Sequence, residues 1–252
     1  MSKCGGWRAS AALALALAGV APAQADEIKV FASRVTKIAL QVLGPDYEKA
    51  SGNKLTVIDD VAVVMKRRIE AGEAFDVAVL VDYQTEDLIR KGHLTADTLV
   101  TIMHSATGVA IKRGEKKPDI STVEAFRKTM LEAKSLTYLA EGASTTHVVR
   151  AFEKLGIADA LKAKTTLVPT DTVSERVAAG QEELGIGIIA NIVSVPGVEL
   201  VGPFPAELQF SIVFSGAAGK NSVHPQAARD ILKLLTSPKA REIIAARGMQ
   251  PG

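Results

Sequence analysis

Two short turns in this chain carry the residue types best suited to holding an anion. Phe31-Ala32-Ser33-Arg34-Val35-Thr36 follows an apolar run, and Glu141-Gly142-Ala143-Ser144-Thr145-Thr146-His147 lies between the run ending at Leu139 and a helical pattern leading to Leu155. In each, a small, hydroxyl-rich turn opens a helix. Backbone N–H groups, side-chain hydroxyls and the positive end of a helix dipole then lie together. Taken singly, Ser33 and Ser144 read better as plain N-caps worth ~1 kcal/mol each. Two such turns in equivalent positions point to a shared cleft instead. Arg34 adds a guanidinium, which grips a planar carboxylate through two parallel hydrogen bonds. His147, in the first turn of its helix, is suited to donate to a ligand or shuttle a proton, and equally fits an ordinary first-turn residue. Asp171-Thr172-Val173 caps a helix running to Ala179 and offers its backbone to the same pocket.

The remaining polar groups carry less. His93, His104 and His224 are scattered among loops and make no metal-ligand spacing, so no metal site is expected. Asp59 and Asp60 are a candidate general-base pair or cation site, but adjacent carboxylates at a strand end are more often solvated. Lys66-Arg67-Arg68 reads as the wet face of a helix.

The elements that must position these residues alternate between strand and helix. Ile28–Phe31, Lys54–Ile58 and Asp76–Val81 read as strands. Helices are predicted from about Val35 to Ser51, Met65 to Ala71 and Thr85 to Lys91. Further on, Ser105–Lys112, Ser135–Leu139, Gly185–Ile189 and Phe210–Phe214 read as strands. Thr122–Glu132, Thr145–Leu155, Pro225–Thr236 and Pro238–Arg247 read as helices. This is an α/β pattern of mostly parallel sheets flanked by helices, in which ligands sit at strand carboxyl ends.

The N-terminus restricts the chemistry further. Lys3 and Arg8 precede the apolar run Ala11 to Val20, and Ala23-Gln24-Ala25 follows it, as in a secretory signal cleaved after Ala25. The run is too short to span a membrane, which takes roughly 20 apolar residues. Cys4 and Trp7, the chain's one cysteine and one tryptophan, both lie in this segment. The expected mature chain therefore has no thiol for a disulfide, a thiolate metal site or a nucleophile. Without Lys3 and Arg8, basic and acidic residues balance, so neither nucleic acid nor an anionic membrane is expected as a partner. An exported chain with no GxxxxGK[ST] or GxGxxG pattern is not expected to use ATP, NAD or another cofactor.

From Lys29 to Pro251 the chain resembles the molybdate-binding type of periplasmic solute receptor, the soluble component of an ABC importer with a type II periplasmic binding fold. The resemblance is carried by Val30-Phe31-Ala32-Ser33, Tyr47-Glu-Lys-Ala-Ser-Gly52, Arg67-Arg-Ile-Glu-Ala-Gly72 and Phe75-Asp76-Val77. It continues in Phe152-Glu-Lys-Leu-Gly156, Glu183-Leu-Gly-Ile186 and Ser237-Pro-Lys-Ala-Arg-Glu-Ile-Ile244. It implies two lobes, 26–104 plus 208–252 and 105–207, with chain crossings near Ser105 and Leu208 and a small anion held between them. It implies a monomer working in the periplasm and presenting its closed form to a membrane permease.

The chain departs from that family where the anion would sit. The hydroxyl-rich loop expected after the second strand reads Asp59-Asp60-Val61-Ala62-Val63-Val64. Ile188 and Ile189 replace a tyrosine, and Arg34 replaces an apolar residue. Neutral donors are lost and a guanidinium is gained, which suits an organic di- or tricarboxylate better than molybdate or tungstate, the family's default ligands. The expected ligand-binding residues are Ser33, Arg34, Asp60, Val61, Ser144, Thr145, Thr146, Thr172, Val173 and Ile188. A second class stays open: the similar aconitate isomerases shift a proton within a tricarboxylate without a cofactor, for which His147 and Ser144 are the catalytic candidates.

Overall fold

The computed structural model describes residues 25–32, 34–170 and 172–252, and of Val35 the backbone alone. The proposed signal segment up to Gln24, together with Ser33 and Asp171, lies outside the described residues. Two sheets organise the chain. The first begins with β1 (Glu27–Ala32), α1 (Arg34–Ser51), β2 (Lys54–Asp59), α2 (Ala62–Glu70), β3 (Val77–Val81) and α3 (Asp82–Arg90), then adds β4 (Val100–Ser105). β3 is buried at all five positions, matching its unbroken apolar run.

The chain then passes into the second sheet with β5 (Thr107–Lys112), α4 (Val123–Glu132), β6 (Leu136–Leu139), α5 (Thr145–Lys154) and α6 (Ala158–Lys162). β7 (Thr165–Val168), α7 (Val173–Ala178), β8 (Leu184–Ile188), α8 (Ile189–Val193) and β9 (Val198–Pro203) complete it. It returns through β10 (Ile212–Ala218), α9 (Pro225–Leu235), α10 (Pro238–Ala245) and β11 (Gln250–Pro251). The sheet orders are β11-β4-β10-β3-β1-β2 and β7-β6-β8-β5-β9.

The sequence pattern and the structure differ in places that matter. The β2-β1-β3 and β7-β6-β8 pairings are parallel. β10 and β5, the strands that follow the two crossings, pair antiparallel with both their neighbours, so each sheet is mixed. The run expected as one strand from Ser105 splits at Ala106: β4 pairs in the first sheet and β5 in the second. The last predicted strand starts at Ile212 rather than Phe210, whose ring stays half exposed in the crossing segment. α2 begins at Ala62, earlier than its apolar spacing suggests, because the extended Val61 serves as its N-cap.

Each sheet has its own core. Phe31, Met65, Leu80 and Ile231 lie in the first, and Phe126, Met130, Leu136 and Phe152 in the second. The rings of Phe126 and Phe204 meet at 4.6 Å. One glycine sets a close approach that the cleft depends on. A Cβ at Gly185 of β8 would lie 2.8 Å from Val177 and 3.0 Å from Val173, so only glycine lets α7 settle flat on the sheet.

The two crossings are tied by one side chain. Thr107 N–H donates to Gln209 Oε1 at 3.0 Å, and Gln209 Nε2 donates to the Thr107 carbonyl at 2.9 Å. The amide thus imitates a strand neighbour. Beside it, Ile189 N–H donates to the Ala106 carbonyl at 2.9 Å. Thr107 is buried, so Gln209→Ala leaves its N–H without a partner and costs ~1–3 kcal/mol. A urea titration of the variant is expected to show that loss; an unchanged midpoint contradicts the brace.

Candidate functional site

A cavity of about 270 Å³ lies between the two sheets. It sits at the low end of small-molecule sites and suits a compact ligand. Its wall is built where helices begin. Arg34 opens α1; Asp60, Val61 and Ala62 lead into α2; Ala143 precedes α5; Thr172 precedes α7; Ile188, Ala190 and Asn191 span the start of α8. The first N–H groups of a helix have no partner within it and carry partial positive charge. At α2, α5, α7 and α8 the N-cap side chain makes no capping hydrogen bond, whereas Thr122 and Ser237 cap α4 and α10 away from the cavity. Asp59 and Thr170 also line it, and the rest of the wall is apolar, with Met103, Leu139, Phe214 and Met249.

Arg34 lies at the boundary between the two halves. Its guanidinium donates to Glu175 Oε1 of α7 at 2.9 Å, an ion pair between residues on opposite sides of the cleft. A second pair runs the same way at the surface, from Arg67 of α2 to Glu141 at 2.7 Å. Between them Val61, Val63 and Val64 pack against Leu139, Val168 and Val173. The aliphatic residues at 61–64 therefore form an apolar contact across the cleft. Asp59 is held by Lys37 at 2.5 Å, and Asp60 accepts from the Val61 N–H at 2.7 Å.

Five of the sequence-derived candidates line the cavity: Arg34, Asp60, Val61, Thr172 and Ile188. Ser33 lies outside the described residues. The second hydroxyl turn is not brought into the wall as its pattern suggests. Ser144 is buried at the start of α5, Thr145 Oγ1 donates to the Leu139 carbonyl at 3.0 Å, and Thr146 is exposed. Val173 packs behind the wall. Arg34 reaches across to Glu175 rather than to Ser144, Thr145 or Thr146. His147 stacks on Phe210 of the second crossing, with ring centroids 3.6 Å apart.

The basic run Lys66-Arg67-Arg68 in the second half of α2 is engaged throughout. Lys66 pairs with Glu70 and Asp87, and Arg68 grips Glu73 through two bonds of 2.7 Å over the Phe31 ring. Met103, Phe214, Met249, Thr170, Asn191 and Glu175 were not legible as site residues. They come from strands, helices and loops far apart in the chain and share no local pattern. Among the described residues no group of three or more His, Cys, Asp or Glu side chains is placed to hold a metal ion. Among the same described residues no helix is long and apolar enough to cross a membrane.

Residues 28–250 match the family described as bacterial extracellular solute-binding protein. An aconitate isomerase of Pseudomonas sp is 31% identical over 218 residues, 84% of this chain and 83% of that protein. The molybdate-binding protein ModA of Escherichia coli (strain K12) is 26% identical over 249 residues, 95% of each chain. The solved periplasmic molybdate-binding protein of Azotobacter vinelandii matches with a TM-score of 0.73 at 18% identity, covering 88% of this chain and 98% of that one. The last likeness shows the fold: mixed α/β, two sheets flanked by helices.

Burial, followed by the nearby Arg150 charge, lowers the His147 pKa from its ordinary 6.5. The fold thus favours neutral imidazole. Above the ordinary value both folded and unfolded chains hold it neutral, and the stability is intact. As the pH falls below 6.5 the unfolded chain takes up the proton first, so stability is lost. His147→Phe keeps a ring against Phe210 but cannot titrate. Urea midpoints from about pH 7.5 down to about pH 5.5 are expected to fall less steeply for the variant than for the native chain. Parallel profiles contradict this.

Proposed function

Because the chain belongs to the bacterial extracellular solute-binding protein family, we propose that it is an exported receptor whose cleft binds a small organic di- or tricarboxylate. In this reading the signal is cleaved after Ala25 and the lobes, 26–104 plus 208–252 and 105–207, close on the ligand. A monomer then presents its closed form to an ABC permease. The supporting observation is the wall of the cavity, where a guanidinium and converging helix starts face aliphatic side chains. A carboxylate with a carbon skeleton uses both: Arg34 and backbone N–H groups for its charged ends, Val61, Leu139 and Ile188 for its middle. A tetrahedral metal oxyanion turns some charged oxygens toward aliphatic groups, and each polar group left unpaired costs roughly 2–7 kcal/mol.

A thermal-shift panel of citrate, tricarballylate, trans-aconitate, succinate, molybdate, tungstate and sulfate tests this. A ligand at about 100 times its Kd adds ~2.7 kcal/mol of stability. The organic acids are expected to shift the transition and molybdate is not; the reverse pattern overturns the reading. Arg34→Ala is expected to weaken binding of the responsive acid at least about tenfold, since hydrogen bonds to charged groups are worth roughly 1.5–3 kcal/mol, while leaving the fold intact. An unchanged Kd removes Arg34 from the site.

The 31% identity with an aconitate isomerase favours a second reading, catalysis of a proton shift in a tricarboxylate. His147, the acid–base candidate, is not among the lining residues, which leaves Asp59 and Asp60 as the carboxylates on the wall. Incubation with trans-aconitate separates the two. Constant ultraviolet absorbance is expected of a receptor, and a steady fall identifies an isomerase.

A further inference from the structure

We infer that Glu175 is a built-in competitor for the ligand. Its carboxylate accepts from the Arg34 guanidinium, and an incoming carboxylate competes with it there. The inference rests on the carboxylate reading above and deepens it by naming the residue that tunes affinity.

Adjacent residues of α7 show two different kinds of ion pair. Arg176 holds Glu182 through three contacts of 2.6–3.2 Å, and the Glu182 side chain is only 4% exposed. That pair is fixed and fastens the helix. Glu175 accepts from Arg34 at 2.9 Å, and its side chain is 45% exposed. It has room to swing into solvent when its partner is taken. Arg34, 27% exposed, lines the cavity while making that bond. The same guanidinium therefore faces both the resident carboxylate and the space a ligand would fill.

A partly exposed ion pair of this kind shifts an equilibrium by about two- to fivefold. A ligand carboxylate that takes the Nη1 edge of Arg34 competes there with Glu175, so the pair stabilises a state that ligand does not use. Removing the Glu175 charge also removes an anion beside the bound acid. Both effects act in the same direction, toward tighter binding. Arg67–Glu141 spans the cleft with the same polarity but does not touch the cavity, so its loss does not share this effect.

Calorimetric titration with trans-aconitate of the native chain, Glu175→Gln, Arg34→Ala and the double variant tests this. Glu175→Gln is expected to bind about three- to tenfold tighter at low salt. The gain is expected to shrink at about 0.5 M salt, where charges are screened within a few ångströms. In the Arg34→Ala background the second substitution is expected to change the Kd by less than about twofold, because distant or uncoupled effects add. Unchanged or weaker binding by Glu175→Gln, with Arg34→Ala weakened, overturns the inference and leaves the carboxylate reading standing. An equal gain in both backgrounds overturns it too, since Glu175 then acts by charge alone. If no variant binds trans-aconitate or citrate, the carboxylate reading falls and takes this inference with it.

Discussion

A parallel strand pair connected through a helix places the start of that helix at the carboxyl end of the first strand, and the geometry of this molecule follows from repeating that unit in two sheets. β1 leads to α1, β2 to α2, β6 to α5, β7 to α7 and β8 to α8, so five strand–helix turns open on one cleft. Each turn brings backbone donors, and one brings Arg34. Where the chain leaves one sheet for the other, the next strand enters antiparallel, and the two crossings run side by side with Gln209 tying them. The chain thus passes between the halves twice, one amide braces the crossings, and Ile188 and Ala190 of the second half pack into the first core.

Two kinds of contact draw the halves together. Charge is sorted across the cleft: Arg34 and Arg67 come from the first half, Glu175 and Glu141 from the second. These pairs are partly or largely exposed, so each contributes little, about 0–1 kcal/mol. The apolar contact of Val61, Val63 and Val64 with Leu139, Val168 and Val173 is not screened by salt. It stands where the resemblance to molybdate receptors leads one to expect hydroxyls. In this chain that loop contributes an apolar contact between the halves and an aliphatic stretch of the cavity wall rather than a set of neutral donors.

Much of the fold was legible because the first half alternates cleanly. The apolar run of β3, the glycine that ends α1 and the proline starts of α9 and α10 each follow a local rule. β7 was missed because it is an edge strand whose middle residues are exposed, so it shows no inward-facing alternation. β4 was missed and the strand expected from Ser105 is β5 alone, because no turn signal at Ala106 marks where one sheet hands the chain to the other. For the site, residues at strand ends could be read from their turns. Glu175 could not, since its partner lies 141 positions away. Likewise the hydroxyls of the 144–146 turn looked like ligand donors, yet Thr145 is spent on the Leu139 carbonyl within its own half.

The most direct measurement is a crystal structure of the protein grown with a tricarboxylate. The expected result places the acid between the two sheets, with a carboxylate on the Arg34 guanidinium and the carbon chain along Val61, Leu139 and Ile188. An acid bound elsewhere, or a tetrahedral oxyanion caged in the same cavity with Arg34 still on Glu175, would contradict it.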